Sequence, residues 1–167
     1  MATLRLRTAT LADVPTLERW DEDPAVRDPA LVGGWLDWSA DLTESNAWVE
    51  RLVAEDDGRP LGFVQLLDTA ADPSRYWGDD ATPGVWAVDI WVGDAADRGC
   101  GYGTRMMRLA LDRCATVHGA TTVLVDPLAS NVDAHRFYRG CGFEPVGERV
   151  LDGDRCLVHR WMSAVAR

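Results

Sequence analysis

The sequence predicts one mixed α/β domain. Three observations carry this. Short apolar runs with period-two alternation recur from the N-terminus onward, as strands require. A nearly all-apolar run, Val85–Val92, is followed by a glycine loop, an amphipathic stretch and a β-branched run, the order of a helix crossing between two strands. A last pair of strand-like runs flanks Asp152-Gly153, a hairpin signal. A chain of 167 residues suits a single core, and one domain over 1–167 is expected.

In order, Leu4-Arg5-Leu6-Arg7-Thr8 alternates and reads as a first strand. Thr10-Leu11-Ala12-Asp13 offers a cap, with Val14, Leu17 and Trp20 at helical spacing behind it. Residues 21–45 are rich in Asp, Pro and Gly and carry Trp35 and Trp38, which suit a short helix over a cleft. Ala47 to Glu55 reads as a strand, with a helical period as the alternative. Asp57-Gly58 is a turn signal, and Leu61 to Leu67 is the returning strand. A loop from Asp68 to Pro83 holds Tyr76-Trp77-Gly78-Asp79-Asp80. The run from Val85 to Val92 is so apolar that it belongs at the centre of a sheet, covered on both faces. Met107, Ala110, Leu111 and Cys114 then mark one face of an amphipathic helix that Gly119 ends. Thr121 to Asp126 is a β-branched strand. Ser130 or Asn131 caps a helix carrying Ala134, Phe137, Tyr138 and Cys141, and Phe143–Leu151 with Arg155–Met162 form the last hairpin.

Composition narrows the function classes. Apolar residues make up 47% and charged residues 26%, which fits a globular chain. No apolar run is long enough to span a bilayer, and the first residues lack the apolar core of a signal peptide, so a cytoplasmic protein without a membrane partner is expected. The net charge of −10 disfavours nucleic acid and suits a cationic ligand. Every basic residue is Arg. Cys100, Cys114, Cys141 and Cys156 show neither a Cys-x-x-Cys pair nor a zinc-site spacing, so reduced thiols and no metal are expected.

Three constellations carry chemistry. The first is Arg98-Gly99-Cys100-Gly101-Tyr102-Gly103 at the start of a helix. Glycines let a backbone approach a ligand, free N–H groups at a helix N-terminus favour phosphate oxygens, and Arg98 adds a planar cationic fork. A dinucleotide fingerprint from Gly99 needs its third glycine at position 104, where Thr104 stands, and no Gly-Lys-Ser/Thr follows to make a P-loop. An ordinary glycine turn is the bland alternative. The second is Asn131, His135 and Tyr138, which offsets of four and seven put on one helical stripe. A Tyr there can protonate a departing thiolate, because its pKa of roughly 10 is near that of a thiol; a half-buried structural Tyr is the alternative. The third is a pair of carboxylates at strand positions. Asp89 interrupts the apolar central strand, where an unpaired carboxylate is costly and points to a cavity, a cationic ligand or an internal ion pair. Asp126 ends the next strand before Pro127, where α/β sheets gather ligands or simply turn.

Together these residues resemble the GNAT superfamily of acetyl-CoA-dependent N-acetyltransferases from Val85 to Met162. Arg98, Gly101 and Gly103 meet its Gln/Arg-x-x-Gly-x-Gly/Ala loop, and Asn131, Ala134, Tyr138, Gly142 and Phe143 follow its later signature. Within it the chain is most similar to the aminoglycoside 6′-N-acetyltransferases. Thr82-Pro83-Gly84-Val85, Asp89, Gly101-Tyr102-Gly103-Thr104-Arg105, Asp126-Pro127, Ser130-Asn131 and Tyr138 carry that likeness.

The resemblance implies a central mixed, mostly antiparallel sheet flanked by helices. It implies a pantetheine arm alongside Trp91 and Val92, pyrophosphate on the backbone of Arg98, Gly99, Cys100, Gly101, Tyr102, Gly103, Thr104 and Arg105, and a contact from Asn131. Asp89 and Asp126 would hold and help deprotonate the amine, and Tyr138 would be the general acid. Tyr76 and Trp77, helped by Trp38 or Trp35, would wall the acceptor, with Asp37, Asp79, Asp80, Asp152 and Asp154 drawing in a polycation. The implied reaction is direct acetyl transfer from acetyl-CoA to the 6′-amine of an aminoglycoside, by a monomer or homodimer, with CoA as product. Acylation of another amine (a siderophore precursor or a protein N-terminus) and a non-catalytic acyl-CoA-binding module are the rivals.

Overall fold

The computed structural model describes residues 3–26 and 37–164. Its elements are β1 (Arg5–Thr8), α1 (Val14–Asp21), α2 (Trp38–Thr43), β2 (Val49–Asp56), β3 (Arg59–Asp68), β4 (Val85–Val92), α3 (Tyr102–Thr116), β5 (Thr122–Val125), α4 (Val132–Gly140), β6 (Glu144–Leu151) and β7 (Asp154–Met162). The stretch read as strand or helix at Ala47–Glu55 is strand β2, because Leu52, Val53 and Ala54 are buried in the sheet between two neighbours. Trp35 lies outside the described residues, and Trp38 opens α2.

The strands form one sheet in the order β1-β2-β3-β4-β5-β7-β6. Every neighbouring pair is antiparallel except β4 and β5, which the crossover through α3 makes parallel. The two tight hairpins form where expected. Asp57 and Gly58 have φ of 49° and 79°, and Asp152 and Gly153 have 48° and 89°, the paired positive values that a two-residue hairpin turn with right-handed strand twist requires.

Alternation along the central strands sorts the core into two faces. Trp86, Val88, Ile90 and Val92 of β4, with Val64 and Leu66 of β3 and Val123 and Val125 of β5, meet Met106, Met107, Ala110 and Cys114 of α3. The other face carries Phe63 and Trp91 beneath α1 and α2, and Ala87, Leu124 and Val158 beneath Trp77. α3 ends at Thr116, earlier than Gly119, because Val117 N–H closes on Arg113 and the chain then turns through Gly119 at φ 65° to enter β5. His118 stacks on Trp86 with ring centroids 4.2 Å apart and meets Glu50 at 2.8 Å, tying that turn to β2.

Two close contacts fix the helices to the sheet. A Cβ added to Gly93, just past β4, would lie 2.0 Å from the Trp20 ring, so α1 reaches the strand end only because residue 93 has no side chain. α4 is held to β7 by two imidazoles, with His135 Nδ1 3.0 Å from His159 Nε2. The carbonyl of Ala129 can only accept, so His135 Nε2, 3.1 Å away, carries a proton; in the neutral pair its Nδ1 accepts from His159. His159 Nδ1 then has no partner among the described residues, and burial, followed by repulsion from His135 and Arg139, holds the His159 pKa below its ordinary value.

These contacts set two expectations. Gly93→Ala overpacks the Trp20 contact and lowers the unfolding free energy by about 1–3 kcal/mol, measured by chemical denaturation; unchanged stability contradicts the packing account. For His159 the folded pKa is lower than the unfolded one, so its contribution is present above about pH 6.5 and is lost as pH falls toward the folded value. The melting-temperature gap between wild type and His159→Gln therefore narrows from about pH 7.5 to about pH 5.5. A gap that is constant or widens over that range rejects the neutral-pair assignment.

Candidate active site

The site begins where the sheet comes apart. β4 pairs with β5 only through Val85–Thr122, Trp86–Val123 and Ala87–Leu124, while on its other edge it stays in register with β3 as far as Val92–Gly62. The reason lies in the chain after β5. Pro127 cannot donate to a ladder, and its carbonyl instead accepts from Leu157 N–H at 3.0 Å, while Ala129 N–H donates to Arg155 at 2.8 Å. The segment therefore follows β7 and leaves β4. A cleft of about 1370 Å³ opens there, floored by Val88, Asp89, Ile90, Trp91 and Val92 and continuing to Asp126, Pro127 and Leu128.

One wall of the cleft is the glycine loop and the start of α3. Gly99 and Gly101 have φ of 73° and 83°, values that L side chains rarely adopt, and nothing lies within 4 Å of where their Cβ atoms would sit. Gly101 is the N-cap of α3 and, without a side chain, does not cap its first turn itself. The first-turn N–H groups are thus offered to a ligand. Gly99, Gly101, Gly103 and Thr104 line the cleft. This backbone cradle fits a pyrophosphate. Across from it, α4 presents Asn131, Ala134, Phe137 and Tyr138. The Asn131 side chain accepts from Ala134 N–H at 3.1 Å, which caps α4 and directs the amide oxygen into its own helix. The Tyr138 ring packs edge-on against Phe137 and Phe143, at 5.2 and 5.6 Å.

The carboxylates are each held by a donor from another element. Gln65 stands opposite Asp89 in the β3–β4 register and donates to Asp89 Oδ2 at 3.1 Å. Arg51 of β2 donates in turn to the Gln65 amide oxygen at 3.1 Å. Asp126 Oδ2 accepts from the Tyr76 hydroxyl at 2.5 Å. Burial first, and this bond second, push the Tyr76 pKa up, so the phenol keeps its proton. Among the described residues, seven aspartates line the cleft (Asp21, Asp72, Asp89, Asp126, Asp133, Asp152 and Asp154) with one basic residue, Arg98.

Several expected placements change. Arg98 does not hold its guanidinium toward the glycine loop. Its fork donates to the carbonyls of Val92 and Gly93, at 3.3 and 2.6 Å, and to Asp23 at 2.7 Å, so it pins the strand end to the turn after α1. Cys100 is exposed, with Sγ against the carbonyls of Ala96 and Arg98. Tyr102 and Arg105 do not line the cleft: Tyr102 packs on the main core, and Arg105, 5.8 Å over its ring, points along the outer face of α3. His135 leaves the expected polar stripe and turns to His159, because the α4 face that carries it packs on the sheet. Asp37 caps α2 through Ala40 N–H at 3.1 Å, and Asp79 and Asp80 lie on an exposed turn where Asp80 meets Arg149 at 3.6 Å. None of these three lines the cleft. Trp77 lines the cleft but is only 6% exposed, a plug beneath the loop between β3 and β4, with Tyr76 edge-on to it at 5.6 Å. Trp38 is buried against Phe63 and Trp91 and donates its indole N–H to Asp21 at 2.6 Å.

The reading of the sequence missed Gln65, Trp48, Leu128 and Phe137, all in the cleft lining. Gln65 had a signal: it is the one polar residue within Leu61–Leu67, as Asp89 is within Val85–Val92. Trp48, Leu128 and Phe137 had none, since apolar residues in or beside elements read as core.

Comparison with known proteins agrees with this geometry. A model of the acetyltransferase (GNAT) domain matches residues 9–151. The aminoglycoside N(6′)-acetyltransferase type 1 of Klebsiella pneumoniae is 30% identical over 95 residues, covering 57% of this chain and 47% of that protein. The chain thus spans about half the length of that relative. A kanamycin resistance protein of Rhizobium radiobacter is 33% identical over 73 residues, covering 44% of this chain and 68% of that protein. Among solved structures, the aminoglycoside acetyltransferase AAC(6′)-Ib in complex with coenzyme A superposes with a TM-score of 0.78 at 24% identity, covering 96% of this chain and 95% of that one. A spermidine N-acetyltransferase chimera from Vibrio cholerae superposes at 0.76 with 18% identity, covering 95% of each chain. These two structural likenesses speak for the fold. With the family model spanning most of the chain, and with a parted central sheet beside an uncapped glycine-rich helix start, the protein belongs to the GNAT acetyltransferases, whose acyl donor is acetyl-CoA.

Proposed function

We propose that the protein transfers an acetyl group from acetyl-CoA to the 6′-amine of an aminoglycoside. The observation that carries this reading is the charge of the cleft: among the described residues that line it stand seven aspartates and a single arginine, itself engaged with Asp23. A concave surface of one sign concentrates ligands of the other, and an aminoglycoside is a polycation. The relatives named for N(6′)-acetylation and kanamycin resistance support the same acceptor, as does an AAC(6′)-Ib structure in complex with coenzyme A and kanamycin.

The residues suit direct transfer. The glycine-rich backbone from Gly99 to Thr104 holds the donor's pyrophosphate, and the unpaired edge of β4 at Trp91 and Val92 receives the pantetheine arm. Asp89 and Asp126 receive the ammonium group and promote loss of its proton. The free amine attacks the thioester carbonyl; a C–N bond forms, the C–S bond breaks, the thiolate leaves with a proton from Tyr138, and the second proton lost by the nitrogen is returned to the phenolate through solvent. Holding donor and acceptor together in one cleft supplies much of the rate. The product amide has lost one positive charge and its affinity for RNA phosphates falls accordingly.

Two measurements test this. Thiol release from acetyl-CoA is expected with kanamycin or tobramycin, and Asp89→Asn and Asp126→Asn each reduce kcat/KM by roughly 10²-fold or more. Release with a polyamine or peptide amine and none with any 6′-amino drug reassigns the acceptor, and wild-type rates in both variants remove the carboxylates from the site. Tyr138→Phe is expected to lower kcat on the order of 10²-fold with little change in KM for the acceptor. A kcat within a factor of about two of wild type rules Tyr138 out as the acid.

A further inference from the structure

We propose that Tyr76 is a positioning residue for Asp126: its hydroxyl fixes that carboxylate in one rotamer and holds it ionised, so that capture of a cationic acceptor depends on the loop between β3 and β4. The proposal rests on the acetyl-transfer reading for its consequence, although the hold itself does not. The bond joins residues 50 positions apart, the loop to the end of β5. A phenol donating to a carboxylate is a charge-assisted bond, shorter and stronger than a neutral one.

The loop is built to deliver that hydroxyl. Trp77 is buried against Ala87, Leu124 and Val158, so the residue next to Tyr76 is anchored in the core directly beneath the cleft. Arg75, just before Tyr76, adopts φ 54°, a left-handed conformation that an arginine takes only where its surroundings impose it. Thr69, at the loop's start, donates its hydroxyl to Val85 at 2.7 Å, closing the loop's ends on β4. The Tyr76 ring is edge-on to Trp77, with an interplanar angle of 81°, which leaves its rim and hydroxyl toward β5. Besides Asp126, Cys156 and Asp152 of the β6–β7 side are the titratable groups near the phenol among the described residues.

The consequence follows from the donor. A hydrogen bond to the charged form of a carboxyl favours that form. Asp126 is therefore ready to receive an ammonium group without first losing a proton. A phenylalanine at position 76 keeps the aromatic ring and lacks the donor, so the hydroxyl and the ring have separable roles.

The test compares wild type with Tyr76→Phe, which removes one oxygen and keeps the ring. The Asp126 carboxyl is titrated by carbon-13 NMR in the protein without ligands, its signal identified by its loss in Asp126→Asn. The pKa of Asp126 is expected to rise by about one unit in Tyr76→Phe, and the acid limb of kcat/KM for the acceptor to move up in pH with it. An Asp126 pKa that is the same in both proteins overturns the proposal. So does an acid limb that stays in place while the carboxyl shifts. A protein that turns over no aminoglycoside fails the functional reading alone, because the NMR titration still decides whether Tyr76 holds Asp126.

Discussion

The parting of β4 from β5 is the constraint on which the rest of the molecule depends. A parallel pair held by three register positions and then released leaves a row of strand backbone without a neighbour in the middle of a sheet. Nothing about β4 itself causes this, since it pairs with β3 to its last residue. The cause is on the far side, where Pro127 cannot donate and the chain from Pro127 to Ala129 takes its bonds from β7. The glycine loop before α3, the acidic cleft and the loop between β3 and β4 are arranged around that opening.

Around the opening, polar groups are held in pairs that reach across the fold. Asp89 is bonded by Gln65, which Arg51 bonds in turn, and Asp126 is bonded by Tyr76. Each carboxylate thereby has its geometry set by an element other than its own strand. The same economy explains Arg98. A cation at the rim of an acidic cleft, left unpaired, would oppose the field proposed to draw in a cationic acceptor. Tied to Asp23 and to two carbonyls, it instead braces the strand end that the pantetheine arm is proposed to follow.

The rigid parts of the site come from apolar contacts. Trp20 lies close against Gly93, Trp77 plugs the space beneath the loop between β3 and β4, and Trp38, Phe63 and Trp91 form a cluster of tilted and edge-on rings with centroids 4.8 to 6.3 Å apart. Aromatic side chains bury large areas with few rotatable bonds, so a chain this short sets its cleft walls with them. The paired imidazoles of His135 and His159 hold α4 with one ring nitrogen left without a partner among the described residues, which makes that joint sensitive to mild acid.

By itself the sequence determined the elements and the two walls of the cleft. The apolar run at Val85–Val92 forced a central strand, Gly99 and Gly101 marked a loop only glycine tolerates, and Asn131 with Tyr138 marked the facing helix. These are local properties: periodicity, allowed φ values and helical offset are set within a few residues of one another. Tertiary structure alone decided the partners. Whether Arg98 served phosphate or its own strand, whether His135 faced ligand or sheet, and which of the many aspartates reached the cleft all depended on residues 24 to 75 positions away. A charge is read from the chain, whereas its direction is fixed by whatever packs against it.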